Sequence, residues 1–249
     1  MAHKTLINGT AYTVKGGRDL IAGTGYAKKQ GKTLIDGTEH AISFGIPLNT
    51  ITPGAILYLN ESGRPVPFYI AKHDYESGLN GAGRTLVVRK DCYNDRVFGN
   101  NNAYANSALD SWLCNTYLKL LDANIQAAIG TTKFYYTIGN RNTTVTTLQR
   151  AVFLLSLTEL GKSASDANTE GSALPIASTL QIAYLNGSAV RQWTRTPYTP
   201  SDASFYFLDT SGNVRTSLYI SSYGSRPAFT LQGTLGLAQN PDGTYTLAA

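Results

Sequence analysis

Along most of the chain the apolar residues come in short runs or alternate with polar ones, and one segment breaks that pattern. From Ala105 to Gly130 (ANSALDSWLCNTYLKLLDANIQAAIG), Leu109, Trp112, Leu113, Tyr117, Leu120 and Leu121 recur at helical spacing, on one broad face that must be buried. Ser107 and Asp110 form an S-x-x-D start whose hydroxyl and carboxylate can satisfy first-turn amides. Asp122 is placed to cap a second short helix carrying Ile125, Ala128 and Ile129, with Gly130 as a left-handed exit. The pattern predicts one helical pair packed on a β-rich body.

The remaining pattern is short strands and turns. Residues 4 to 44 hold three copies of one unit, KTLINGTAY (Lys4–Tyr12), RDLIAGTGY (Arg18–Tyr26) and KTLIDGTEH (Lys32–His40), at a spacing of 14 residues. Asn8-Gly9 and Asp36-Gly37 are hairpin-turn pairs, because both central positions of that turn need positive φ. Each unit is a small β-hairpin with too little apolar surface to stand alone, which suits oligomerisation or docking. GIPLNTITP (Gly45–Pro53) is expected to be a hinge, so residues 1–45 form a hairpin region and 46–249 the main domain.

In that domain Ala55–Leu59 and Pro65–Lys72 are expected as strands around an Glu61–Arg64 turn, with Val66, Phe68 and Ile70 inward. RTLVVRK (Arg84–Lys90) and KFYYTIG (Lys133–Gly139) continue the β pattern, with a polar turn over Arg141–Thr147. AVFLLSL (Ala151–Leu157) is apolar throughout and predicts a strand buried on both faces, followed by a short helical start at Thr158–Gly161. Ile176–Leu185 reads as helical or irregular, ending at Asn186-Gly187. VRQWTRTP, SFYFLDT, VRTSLYI and RPAFTL complete the β segment, and a last hairpin turns at Pro241-Asp242-Gly243.

Composition narrows this to a folded chain with a sizeable core: 249 residues are 42% hydrophobic and 15% charged. The net charge of +5 is spread out, with Lys28, Lys29 and Lys32 as the densest basic group, and is read as a solvated surface with no nucleic-acid partner. No run has signal-peptide character or membrane-span length, so no membrane insertion is expected. Cys92 and Cys114 have neither a C-x-x-C neighbour nor a dense framework, which favours two buried thiols over a disulfide.

Tyr104, LDSWL (Leu109–Leu113) with Asn115, AVFLLS (Ala151–Ser156) with Glu159, QWTRTP (Gln192–Pro197) and SRPAFTL (Ser225–Leu231) together resemble a family of phage and prophage tail-associated domains. That family is related to the C-type-lectin-like and formylglycine-generating-enzyme folds. The KTLI-x-G-T units resemble those preceding such domains. The resemblance implies an α+β, C-type-lectin-like domain on a virus particle, made in the bacterial cytoplasm and carried on the virion. It lends no established activity.

The chemistry-bearing residues point away from catalysis. The formylglycine-generating reaction uses paired cysteines late in the domain, and none follows Cys114. Gln239-Asn240-Pro241-Asp242 is the nearest string to a calcium-lectin motif, but it is interrupted and reads as a turn, so no metal or other cofactor is expected. His3, His40 and His73 lack zinc-ligand spacing, no G-x-S-x-G elbow occurs, and Gly78–Gly83 lacks the Lys-Ser/Thr of a phosphate loop. The carboxylate pairs Asp74 with Glu76 and Asp91 with Asp95 are read as solvated turn residues.

Tyrosines are the stronger signal. Alternation with Phe205 and Phe207 inward leaves Tyr206 outward, and Leu218 and Ile220 inward leave Tyr219 outward. With Tyr198 and Tyr223 these are the ligand-binding candidates, while Trp112, Trp193, Arg195 and Arg226 are assigned structural roles. The expected function is a non-enzymatic tail-fibre, baseplate or head-decoration protein that binds a host envelope glycan or protein. Its hairpins would join it to other virion proteins and to copies of itself, a trimer being favoured by association with viral appendages. A pure particle scaffold is the alternative, with an envelope polysaccharide hydrolase behind it.

Overall fold

The structure is a computed structural model that describes residues 4–7, 10–13, 31–35, 38–42 and 45–248. Its N-terminal part has β1 (Lys4–Ile7) antiparallel to β2 (Thr10–Thr13), and β3 (Gly31–Ile35) antiparallel to β4 (Thr38–Ile42). The pairs close at Ile7 opposite Thr10 and Ile35 opposite Thr38, the registers that a two-residue hairpin loop sets. The middle copy, Arg18–Tyr26, lies outside the described residues.

The chain then runs through β5 (Ile46–Pro47), a 3₁₀ turn (Leu48–Thr50), β6 (Ile56–Glu61), β7 (Arg64–Lys72), α1 (Ser77–Asn80), β8 (Arg84–Arg89) and β9 (Asn94–Val97). Next come α2 (Ala108–Asn115), a 3₁₀ turn (Tyr117–Leu120), α3 (Ala123–Ala128), β10 (Ile129–Gly130), β11 (Thr132–Gly139) and β12 (Asn142–Arg150). The last part is α4 (Ala177–Leu180), β13 (Ala183–Leu185), β14 (Ser188–Val190), β15 (Gln192–Pro197), β16 (Ser204–Leu208), β17 (Val214–Leu218), β18 (Ser222–Ser225), β19 (Ala228–Gln232), β20 (Gly236–Gln239) and β21 (Tyr245–Leu247). The fold is mixed α+β, mostly β-sheet with few short helices.

Eight strands form one sheet in the order β10-β19-β8-β7-β6-β21-β20-β5, and five form a second in the order β17-β16-β15-β18-β9. Only β21 with β6 and β15 with β18 pair in parallel within these sheets. In central β8, Leu86, Val87 and Val88 are all fully buried, which is why RTLVVRK carries consecutive apolar residues instead of alternating ones. The expected hinge belongs to the body: Ile46–Pro47 is an edge strand, and buried Leu48 and Ile51 fasten the following turn to the core.

The helical pair forms over the predicted segment. Ser107 Oγ accepts from the Asp110 amide at 3.1 Å, and the Asp110 carboxylate accepts from Asn106 N at 2.8 Å. Leu109, Leu113, Tyr117, Leu121 and Ile125 are buried on the face the spacing assigned. Asp122 differs from expectation, since its carboxylate accepts from Asn60 Nδ2 at 2.8 Å and makes no side-chain cap. Gly130 is also no left-handed exit; it lies in β10, where a Cβ would collide with the Arg84 guanidinium.

Two further expectations are corrected. Arg141–Thr147 is mostly strand: the turn narrows to left-handed Asn140 and Arg141, and the β-branched run of β12 pairs with β11 while facing solvent. AVFLLSL is buried from Val152 to Leu157, yet it forms only one isolated bridge, Phe153 with Ala228, and Thr158–Gly161 is a turn. Side chains replace the missing ladder. Tyr104 Oη accepts from Leu154 N at 3.0 Å, Thr196 Oγ1 from Leu157 N at 3.0 Å, and Leu154 O accepts from Arg195 Nη1 at 2.8 Å. Together with the Arg195 N to Leu155 O bond at 2.9 Å, this joins the large sheet at β19 to the small sheet at β15.

Buried Asn102 ties the ribbon of β11 and β12 to the body. Its Nδ2 donates to the carbonyls of Tyr198, Ser201 and Ser204, and its Oδ1 accepts from Asn140 N. Gly139 packs on this residue with φ +83°, and a Cβ there would overlap the Asn102 carbonyl oxygen. Gly139→Ala is expected to cost about 3 kcal/mol through left-handed strain and overpacking. Urea unfolding checks this, and a loss below about 1 kcal/mol would show that the ribbon can move aside.

Candidate functional site

All six residues of β15 are buried, although QWTRTP is largely polar, so each polar group needs a partner inside. Arg195 is fully buried and pairs with fully buried Glu159 at 2.6 Å. Its Nε donates to Tyr135 O at 2.9 Å, the guanidinium lies 4.7 Å from the Phe134 ring, and Nη2 has no partner. Burial opposes this charge, but Glu159, Tyr75 and Glu170 hold the guanidinium pKa above its ordinary value.

Glu159 is saturated by neighbours. One oxygen accepts from Arg195 and from Ser156 N at 2.8 Å, and the other accepts a short bond from the Tyr75 hydroxyl. Beside it, fully buried Glu170 accepts from Thr137 N at 2.5 Å and Thr196 Oγ1 at 2.6 Å. Burial pushes the Glu170 pKa up, partly offset by Arg195 and these donors.

The cluster reaches the surface at Glu76. Asp74 and Glu76 both have left-handed backbones, at φ +50° and +47°, a conformation costly for residues with a Cβ. The contortion sends Tyr75 into the core and leaves Glu76 half-buried above it. Asn80 holds the segment to β11, donating to Lys133 O at 2.9 Å and accepting from Lys133 N at 2.8 Å. Glu76 Oε1 is shielded yet has no hydrogen-bond partner, and burial followed by repulsion from Glu159 raises its pKa. An open cleft of about 390 Å³ lies there, lined by Glu76, Tyr135, Val145, Thr169, Gly171 and Ser172. Reading Glu76 as a solvated turn residue is therefore corrected, whereas Asp74 is exposed and accepts from Gly83 N at 2.7 Å.

The other predicted residues are elsewhere. Tyr206 is buried (4% exposed), as are Phe205 and Phe207, because β16 is covered on both faces. The second alternation is inverted: Leu218 and Ile220 are 48% and 63% exposed, and Tyr219 is half-buried against the core. Tyr198 packs edge-on to Tyr206 at 5.7 Å, and Tyr223 lies 4.6 Å from Trp193 and 4.5 Å from Phe207. Packing thus draws all four candidate tyrosines inward, Tyr198, Tyr219 and Tyr223 keeping partial exposure.

Buried Trp193 donates to Arg96 O at 2.8 Å, and half-buried Trp112 is covered by the Arg96 guanidinium at 3.7 Å. Arg226 has no carboxylate partner; it donates to the carbonyls of Arg89, Leu180 and Lys90, and burial lowers its pKa. Cys92 and Cys114 are free, burial pushing the Cys92 thiol up to about 12. Among the described residues no cluster has the ligands for a metal ion, and no helix is long and apolar enough to cross a membrane.

Glu170 and Glu76 were missed as members of one site because they fall in polar loops. Pairing was a signal for Glu159 and Arg195 alone: a lone acid follows AVFLLSL, and a lone base interrupts QWTRTP, so each of two core segments carries one charge in need of a partner.

The molecule is a β-rich α+β domain built across a buried guanidinium–carboxylate cluster that opens at one carboxylate. Family comparison gives it a place: the chain belongs to the DUF6273 family, a domain of unknown function, matched over residues 82–233. No curated protein and no solved structure matches the chain.

Glu159→Gln leaves Arg195 with an uncompensated buried charge and is expected to lose about 3 to 5 kcal/mol in urea unfolding. A loss below about 1 kcal/mol would show that the remaining contacts suffice for Arg195. Glu76 also predicts a pH effect. Its folded pKa is raised, so the proton it keeps favours the folded chain at acid pH, and this contribution disappears as pH rises through the folded value. The stability of Glu76→Gln relative to the parent should therefore increase from about pH 4 to neutral pH, and a flat difference would contradict the raised value.

Proposed function

We propose that the protein is a non-enzymatic phage virion component, in a tail fibre, baseplate or head decoration, whose lectin-like domain recognises a host envelope glycan or protein. The observation that carries this reading is the division of its polar groups. Glu159, Glu170, Arg195 and Arg226 are committed to internal partners, while the cleft offers one carboxylate beside hydroxyls and a tyrosine. Acid–base hydrolysis of a glycoside uses two carboxyl groups facing the bond, whereas holding a polar ligand needs only complementary hydrogen bonds. The segment order and the KTLI-x-G-T hairpins support display on a particle, with the hairpins joining other virion proteins or copies of this chain in a trimer.

A second reading, a particle scaffold, is favoured by exposed apolar residues around the link from β17 to β18. Exposed Leu218 and Ile220 lie at this link, which passes Val97 (47% exposed) of β9, since Val97 pairs with Ser222 and Phe98 N donates to Tyr219 O. Exposed apolar residues grouped in this way suit a protein contact.

Labelled full-length protein is expected to bind intact envelopes of host bacteria saturably, and a chain starting at Ile46 to bind with weaker apparent affinity because hairpin-mediated avidity is lost. If the full chain assembles but binds no envelope, recognition is overturned in favour of the scaffold. Ile220→Asp should then abolish capture by particle proteins while leaving thermal stability nearly unchanged.

A further inference from the structure

The cleft at Glu76 has a more definite chemistry than its envelope role requires. Its rim is built from three segments distant in sequence: the left-handed turn at Glu76, Tyr135 and Val145 on the ribbon of β11 and β12, and Thr169–Ser172. The turn and the Thr169–Ser172 segment are tied to the ribbon by the two-way Asn80–Lys133 bonds and by Glu170 with Thr137, and Asn102 ties the ribbon to the body. The site is therefore held in shape before any ligand arrives.

Gly171 leaves room beside the Glu76 carboxylate. At φ +87° it presents only hydrogen, and a Cβ there would come within 3.0 Å of Glu76 Oε1. That oxygen is shielded from bulk solvent and unpartnered, which leaves the carboxylate under-satisfied. Lys72, whose Nζ donates to Ser172 Oγ at 3.0 Å, stands at the edge.

This lining selects among ligand classes. An anion would meet the Glu76 carboxylate in a partly desolvated position. A wholly apolar ligand would leave the carboxylate without a donor, and a metal ion would find one carboxylate with Lys72 and Arg195 already acting on it. A neutral polyhydroxylated ring supplies hydroxyl donors for Glu76, exchanges hydrogen bonds with Thr169 and Ser172, and lays its C–H surface on Tyr135 and Val145. The volume of about 390 Å³ accommodates a monosaccharide unit.

We propose that this cleft is a neutral-saccharide subsite in which the Glu76 carboxylate accepts from a ring hydroxyl and Tyr135 and Val145 carry the sugar face. The proposal rests on the recognition reading and gives it a ligand class and an address away from the tyrosines of the final β segment.

The test uses the full chain and a panel of glucose, galactose, rhamnose and N-acetylglucosamine, read by saturation-transfer difference NMR and by titration. At least one sugar should bind saturably, with a dissociation constant on the order of millimolar for a single ring. Glu76→Ala and Val145→Trp, the second filling the cleft from an exposed ribbon position, should each weaken it about tenfold or more. Asn124→Ala, in a separate cavity beside Asp122 and Thr246, should leave it unchanged. Thermal unfolding of each variant separates lost binding from lost folding. Absence of binding by every sugar, or unchanged binding in both folded cleft variants, overturns the subsite. Envelope binding that persists in those variants would leave recognition standing at another surface, whereas its absence from the parent chain removes recognition itself.

Discussion

The fold depends on placing a guanidinium where no water reaches it. Arg195 contacts the irregular Leu154–Leu155 segment, the ribbon at Tyr135 and the turn at Glu159. A buried ion pair is not a strong source of net stability, because its desolvation cost rivals its attraction. Its effect here is positional: moving any of these segments would strip partners from buried Arg195, Glu159 or Glu170. Apolar packing of the Val152–Leu157 run would be far less discriminating. The pair Arg89–Glu61, at 3.0 Å, works similarly nearer the surface, with the Tyr117 hydroxyl donating to the same carboxylate at 2.7 Å.

Arg226 solves the same problem differently. It collects three carbonyls and no carboxylate, binding the ends of β8 and α4 to the residue that leads into β19. A guanidinium can do this because its donors radiate in a fixed plane and its charge survives burial. The two arginines therefore set both edges of the irregular stretches that the sheets cannot order by ladders alone.

Regular features were legible in the sequence. Helical spacing located α2 and α3, Ser107 with Asp110 marked the cap, and glycine-containing turns located hairpins such as that of β20 and β21, whereas Asn186-Gly187, read as the end of a helical or irregular stretch, joins strands β13 and β14. The failures share one cause: local patterns do not say what covers a face. Period-two alternation placed Tyr206 outward, but β16 is packed on both sides, and beyond the end of β17 the same rule gave Tyr219 the wrong side. AVFLLSL was correctly read as buried, yet apolar content could not reveal that side-chain hydroxyls and Arg195 would meet its backbone needs. The site was the least legible, because Glu76 acquires its environment from residues far along the chain, at Tyr135, Glu159 and Gly171.

The ribbon of β11 and β12 forms one wall of the cleft while belonging to neither large sheet. Its outer strand is exposed over most of its length, so those side chains answer to solvent and not to neighbours in a packed interior. The charged floor is different, since a change there disturbs the whole domain. Diversification can consequently proceed on the wall without reopening the folding problem solved beneath it, and related chains could come to prefer different partners while keeping the same buried frame.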